Sequence, residues 1–199
     1  MIVVISESYS FETETSLVNE LFHLGLDYFH LRKYNWTEQE LVDFTQQIEH
    51  QFLDRLVFCQ RYELGASLGV NHFHLSEQTR IEWADANWNM MNPLHSYSTS
   101  VHELATFNQL GNRFEYAFLS PIFDSISKPE YKANSFDLAL REDFSTKLIA
   151  LGGISAENVN EAMKLGFDGI ALLGAIWKSE QPTQAFLSVK KQMEMISKA

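Results

Sequence analysis

Short runs of strand-forming residues alternate along the chain with segments whose apolar residues recur at helical spacing. This alternation constrains the fold more than any other feature, because strand, helix and strand in repeated succession is the pattern of a parallel α/β protein. The strand runs read as 2–5, 28–32, 56–59, 72–75, 94–98, 116–119, 147–151 and 169–173. Between the first two, 15–24 places Leu17, Val18, Leu21, Phe22 and Leu24 on one helical face, and Gly25 follows as a helix stop. Thr37 to Glu40 has the form of a capping box and opens a helix expected to run to about Phe52. Further helices are predicted over 62–68, 100–110, 136–141, 155–165 with Ser155 as N-cap, and 182–196. The stretch 76–93 carries Trp83, Trp88, Met90 and Met91 without a clean period, and reads as loop and short helix over packing residues. The stretch 120–135, rich in Ser, Pro and Lys, reads as a long functional loop.

Length turns the alternation into an architecture. A strand, a helix and two short connections need roughly 24 residues, and 199 residues divided over eight units gives about 25 each. A single (β/α)8 TIM barrel over residues 1–199 is therefore the expected fold class. The rival, an open doubly wound sheet, would place a glycine-rich turn after the first strand. Here the glycine signals come in the last two units.

Charge removes some functions. With 15 Lys plus Arg against 26 Asp plus Glu, the formal charge is −11, which argues against a broad nucleic-acid surface but leaves room for a small anion held locally. One cysteine, Cys59, allows no intramolecular disulfide, no cysteine-based zinc site and no CxxC pair, and a cytoplasmic location is expected. No apolar run approaches the roughly 20 residues of a membrane span. The N-terminus lacks the basic region of a signal peptide.

The strongest chemical signal is the pair Ala150-Leu-Gly-Gly-Ile154 and Asp168-Gly-Ile-Ala-Leu-Leu-Gly174. Each puts glycine directly after a strand. In barrels the loops after strands seven and eight commonly hold a phosphate, because glycine lets backbone N–H groups approach an anion. Gly152, Gly153, Leu173 and Gly174 are the candidate phosphate-binding residues, against the plainer reading of ordinary turn glycines.

Six segments extend this picture: Tyr28-Phe-His-Leu-Arg32, the run 61–69, His74-Leu75, Leu119-Ser-Pro-Ile-Phe-Asp-Ser-Ile-Ser-Lys128, 150–154 and 169–176. In order and spacing the chain resembles the thiamine phosphate synthase superfamily, which includes the thiazole tautomerases. The resemblance implies a small barrel that binds a thiazole phosphate at its top, condenses it with an aminopyrimidine diphosphate held by Mg²⁺, and releases pyrophosphate and thiamine phosphate. It assigns Arg32, at the end of strand two, to a bidentate phosphate clamp. Lys128, with the hydroxyls of Ser125 and Ser127, is assigned to the leaving pyrophosphate. A homodimer is a family expectation.

The departures from that pattern are specific. Where the synthases hold Mg²⁺ with two aspartates, this chain has Gln60 and Thr79, and Mg²⁺ prefers anionic oxygen. Glu77 is the nearest carboxylate. The lysine expected after Leu-Arg-x is Tyr34, with Lys33 beside it as a stand-in. His30 replaces the usual glutamine of synthases and matches tautomerases, so His30 is a candidate acid–base residue, although Pro121 occupies the place of the tautomerase loop histidine. Its dull alternative is a hydrogen-bonded barrel-interior histidine. His72 and His74 share one strand face but lack a third ligand at useful spacing. On the strength of the loop after strand six the expected function is that of a synthase; the alternatives are a metal-independent tautomerase and noncatalytic binding of thiazole or thiamine phosphate.

Overall fold

The computed structural model of the protein describes residues 1–124 and 132–196. Eight parallel strands close into a barrel in sequence order: β1 (Ile2–Ile5), β2 (Tyr28–Leu31), β3 (Leu56–Phe58), β4 (His72–Leu75), β5 (Ser96–Val101), β6 (Tyr116–Leu119), β7 (Lys147–Leu151) and β8 (Gly169–Leu172). Closure comes from β8 pairing with β1, with Ile2 opposite Ile170 and Val4 opposite Leu172. The expected barrel is thus the observed one.

Alternation along each strand sorts side chains into two cores. Outward residues such as Phe29, Leu31, Leu56, Phe58, Phe73 and Leu75 pack under the helices, where each fully buried large side chain contributes on the order of 1.5–3 kcal/mol. Inward residues form a second cluster built on Val3, Ile5, Tyr116, Phe118, Ile149 and Ala171. Helices α1 (Glu14–His23), α2 (Glu38–Gln47), α3 (Tyr62–Ser67), α4 (Glu77–Asp85), α5 (Leu104–Leu110), α6 (Val159–Leu165), α7 (Gly174–Trp177) and α8 (Pro182–Ile196) lie outside. No described helix is long and apolar enough to cross a membrane.

Local signals hold where they are strong. After α1 the Leu26 amide donates to Leu21 O (2.9 Å) and the Gly25 amide to Phe22 O (3.0 Å), a Schellman stop. At α2 the Thr37 amide donates to Glu40 Oε2 (2.7 Å) and the Glu40 amide to Thr37 Oγ1 (3.3 Å), so the capping box is formed.

Elsewhere tertiary contacts move the boundaries. Helix α2 ends at Gln47 rather than Phe52, because Ile48 turns into the core and the chain re-enters as a 3₁₀ helix that stacks Phe52 on Phe22 at 5.0 Å. Strand β5 runs 96–101 instead of 94–98, since pairing with both β4 and β6 holds Thr99 and Ser100 extended. The stretch after β4 is more regular than its sequence suggests: Ser76 Oγ accepts from the Thr79 amide (3.2 Å) and caps α4. Trp83 of that helix packs on Tyr62 and Tyr97. In the sixth unit the predicted short helix is a 3₁₀ turn, Leu138–Leu140. In the seventh unit helix α6 starts at Val159, because Ser155 and Asn158 form a side-chain-linked turn first, with the Ser155 amide donating to Asn158 Oδ1 (2.9 Å).

Candidate functional site

The C-terminal ends of the strands form one rim of the barrel, the face on which such barrels carry chemistry. Strands β8, β1 and β2 are consecutive around it, so Arg32, just past β2, and Gly174, just past β8, flank the same sector. Arg32 is half-buried. Its amide donates to Ser6 Oγ (2.8 Å), and its guanidinium has no carboxylate partner among the described residues. The positive charge instead bears on His30, His74 and Cys59.

The glycines after β7 and β8 lie on the same rim. Gly152 and Gly153 adopt φ of 101° and 65°, in the left-handed region that disfavours side chains. The loop after β6 lies directly on them: the Ile122 amide donates to Leu151 O (3.0 Å) and the Phe123 amide to Gly152 O (3.1 Å). A Cβ on Gly153 would run into the Asp124 carbonyl and Phe123, and one on Gly152 would come within 2.9 Å of Pro121. The amides of Gly153, Ile154, Gly174 and Ala175 donate to no backbone acceptor among the described residues. They are the N–H groups available to an anion. Leu173 joins the interior cluster at its upper edge. Lys128, Ser125 and Ser127 lie outside the described residues.

Beneath the rim the interior is polar on one side. His30, His74 and Phe118 form a layer with ring centroids 4.9–5.2 Å apart. His30 Nε2 meets the Tyr116 hydroxyl (2.6 Å), and its Nδ1 faces Cys59 Sγ (3.8 Å). The two ring nitrogens of His74 meet Ser98 Oγ (2.9 Å) and Ser100 Oγ (3.1 Å). Burial holds both imidazoles well below their ordinary pKa, with the Arg32 charge acting in the same direction; His74 falls to about 3. Burial likewise pushes the Cys59 thiol up to about 12, so it is no nucleophile at neutral pH. His30 is 1% exposed. The arrangement is that of two neutral histidines wired into the barrel wall. At the opposite end Tyr28 Oη donates to Glu115 Oε1 (2.7 Å), and His72 Nδ1 approaches Glu115 Oε2 (3.3 Å), which closes the floor. His72 and His74 do share the inward face, but they serve different layers.

Lys33 acts otherwise than its sequence position suggests. Lys33 does not replace the lysine missing at Tyr34: its ammonium is buried, donating to Glu14 Oε2 (2.7 Å) and Tyr9 O (2.5 Å) on the β1 side. Burial draws Lys33 down and Glu14 up, while their contact opposes both. The pair is invisible in sequence, since 19 positions separate partners that only the adjacency of β1 and β2 brings together.

Mg²⁺ does not fit what stands at the positions assigned to its ligands. Gln60 Nε2 donates to Lys33 O (2.6 Å). The Thr79 amide and hydroxyl both engage Ser76 Oγ, at 3.2 and 2.9 Å. Glu77 pairs with Arg80 at 3.4 Å. Among the described residues no three His, Cys, Asp or Glu side chains converge as a metal site.

Comparison with known proteins points to one family. A family model described as thiamine monophosphate synthase matches residues 1–176. The thiamine-phosphate synthase of Leptospira biflexa is 25% identical over 180 residues, 84% of each chain. That of Desulfitobacterium hafniense strain Y51 is 25% identical over 170 residues, 81% of this chain and 80% of its own. Among solved structures, a thiamine phosphate pyrophosphorylase from Bacteroides thetaiotaomicron superposes with a TM-score of 0.74 at 21% identity, over 98% of both chains. One from Pyrococcus furiosus gives 0.76 at 18% identity, over 98% of this chain and 96% of its own. These two share the fold.

Proposed function

From the premise that the chain belongs to the thiamine monophosphate synthase family, we propose that it joins a thiazole phosphate to an aminopyrimidine diphosphate, with thiamine phosphate and pyrophosphate as products. The observation that carries this reading is the half-buried Arg32 guanidinium, without a carboxylate partner among the described residues, on the same rim as the amides of 153–154 and 174–175, which donate to no backbone acceptor among those residues. Two anion sites side by side suit two phosphorylated substrates. The amide cup, with Gly152, Gly153, Leu173 and Gly174, holds the thiazole phosphate. Arg32 takes the diphosphate, and Lys128 with Ser125 and Ser127 is assigned to the same leaving group.

The chemistry asks little of acid–base groups. The thiazole nitrogen supplies an electron pair to the pyrimidine methylene carbon, the carbon–oxygen bond to pyrophosphate breaks, and no proton needs to move. What the protein must supply is positioning and stabilisation of negative charge on the departing oxygens. A bidentate guanidinium in a half-buried site does this better than one in water. Mg²⁺ would neutralise the same charge in the family reaction, but Gln60 and Thr79 do not fit it.

The tautomerase alternative requires a group that moves a proton at the mouth. His30, the candidate for that role, faces Tyr116 and Cys59 and is buried, which favours the synthase reading. The ligands are phosphorylated small molecules; a homodimer and a cytoplasmic location remain part of the proposal.

The test is direct. The pure protein, incubated with both substrates, should release pyrophosphate in step with thiamine phosphate, and Arg32→Met should lower kcat/KM by about 100-fold or more, the scale of losing a principal charge-stabilising donor. Tight thiazole phosphate binding with no turnover would leave only the binding-protein reading. Isomerisation of a thiazole carboxylate phosphate, lost in His30→Phe, would establish the tautomerase.

A further inference from the structure

We infer that Gln60 is a positioning residue for Arg32, and that the mouth of this barrel holds a diphosphate group on that braced guanidinium without a divalent cation. The inference rests on the anion-binding reading of Arg32 given above.

The peptide that carries Arg32 is tied down on every side. Its amide donates to Ser6 Oγ (2.8 Å), from a fully buried serine at the end of β1. The next residue, Lys33, sends its side chain to Glu14 and Tyr9 across β1, with the ammonium 4.8 Å from the Trp36 ring centroid. The Lys33 carbonyl accepts twice, from Gln60 Nε2 at 2.6 Å and from the Trp36 amide at 2.9 Å. A carbonyl oxygen has two lone pairs, so this one is saturated. Gln60 therefore links the end of β3 to the residue following Arg32. The guanidinium is presented from a backbone that neighbouring strands fix, which is how a binding group keeps its geometry.

The same bond explains why this position is not a metal ligand. Gln60 acts as a donor toward the Lys33 carbonyl. A carboxylate at position 60 would offer only acceptors and would face those lone pairs with a negative charge. The brace and a metal-binding carboxylate exclude each other. Thr79 is independently unsuited, since its amide and hydroxyl both engage Ser76 in the cap of α4. Arg32, with no carboxylate partner among the described residues, keeps its positive charge available to an anion.

The experiment is calorimetric titration of inorganic pyrophosphate into the full-length protein, in EDTA and in millimolar Mg²⁺. For the unaltered protein the two affinities should agree within about threefold, a difference of less than ~0.7 kcal/mol. Arg32→Met should weaken binding by at least about tenfold in both buffers. Gln60→Glu should weaken it similarly, and Mg²⁺ should not restore it. Gln60→Met should weaken it by a smaller factor, and should add nothing in the Arg32→Met background, since a residue acting through Arg32 has no effect once Arg32 is gone. Binding that tightens tenfold or more with Mg²⁺, Mg²⁺ rescue of Gln60→Glu, or additive losses in the double variant would each overturn the inference while leaving the anion site standing. No binding of pyrophosphate in either buffer would overturn the anion reading of Arg32 itself. The metal comparison on the unaltered protein does not depend on whether any variant folds.

Discussion

Acidification should destabilise this barrel through its interior histidines, and His74 allows the size to be worked out. Its imidazole is buried between Ser98 and Ser100, and burial first, then the Arg32 charge, lowers its pKa from 6.5 to about 3. In the unfolded chain the group returns to its ordinary value. Between these limits the unfolded state binds a proton that the folded state does not, so stability rises with pH across this window and is lost as pH falls through it. From about pH 7 to about pH 5 the loss is about 2 kcal/mol, growing to ~4 kcal/mol near pH 3. That is a large share of the 5–15 kcal/mol typical of a domain. His30, also held well below its ordinary pKa, acts in the same direction. Urea unfolding of the unaltered protein and of His74→Gln at several pH values reads the effect. At pH 7 the variant should be less stable by about 1–3 kcal/mol, because a serine hydroxyl is left unpaired. By pH 5 the gap should have narrowed by about 2 kcal/mol, since the variant has no imidazole to protonate. Parallel stability curves would refute the reasoning, because they would mean that His74 takes up its proton as readily in the barrel as in the unfolded chain.

Two further outcomes follow from the rim. Gly153→Ala should lower the melting temperature and weaken phosphate binding together, because φ of 65° costs a side chain about 1–2 kcal/mol and the new Cβ meets the Asp124 carbonyl; thermal unfolding and phosphate titration check both, and an unchanged affinity would place the cup elsewhere. Lys33→Met should destabilise by about 3–5 kcal/mol by stranding the buried Glu14 carboxylate; the double variant Lys33→Met with Glu14→Gln should recover part of that in denaturant titration, and a neutral single variant would show that the pair contributes nothing.

What the sequence determined by itself was whatever depends on local pattern. Period-two and period-3.6 apolar spacing, together with length, specified eight strands, most of the helices and the barrel. The Thr37–Glu40 box and Gly25 marked helix ends because their hydrogen bonds close within a few residues. The doubled glycine at 152–153 was legible as a turn because the backbone there is left-handed, whereas the loop after β6, whose Pro121, Phe123 and Asp124 leave no room for a Cβ at either position, was not. Tertiary structure decided what depends on neighbours remote in sequence. It set the end of β5 and the break after Gln47, where burial of Ile48 and Phe52 outweighed helix continuation. His30 became part of the wall only because β6 delivers Tyr116 and β3 is followed by Cys59. Lys33 could not be told from a substrate-binding lysine until β1 lay beside β2 and brought Glu14 within 2.7 Å. Gln60 reads in sequence as a lost metal ligand, and in the barrel as a brace. The residue type is the same; the carbonyl it donates to is 27 positions away, and no local signal carries that distance.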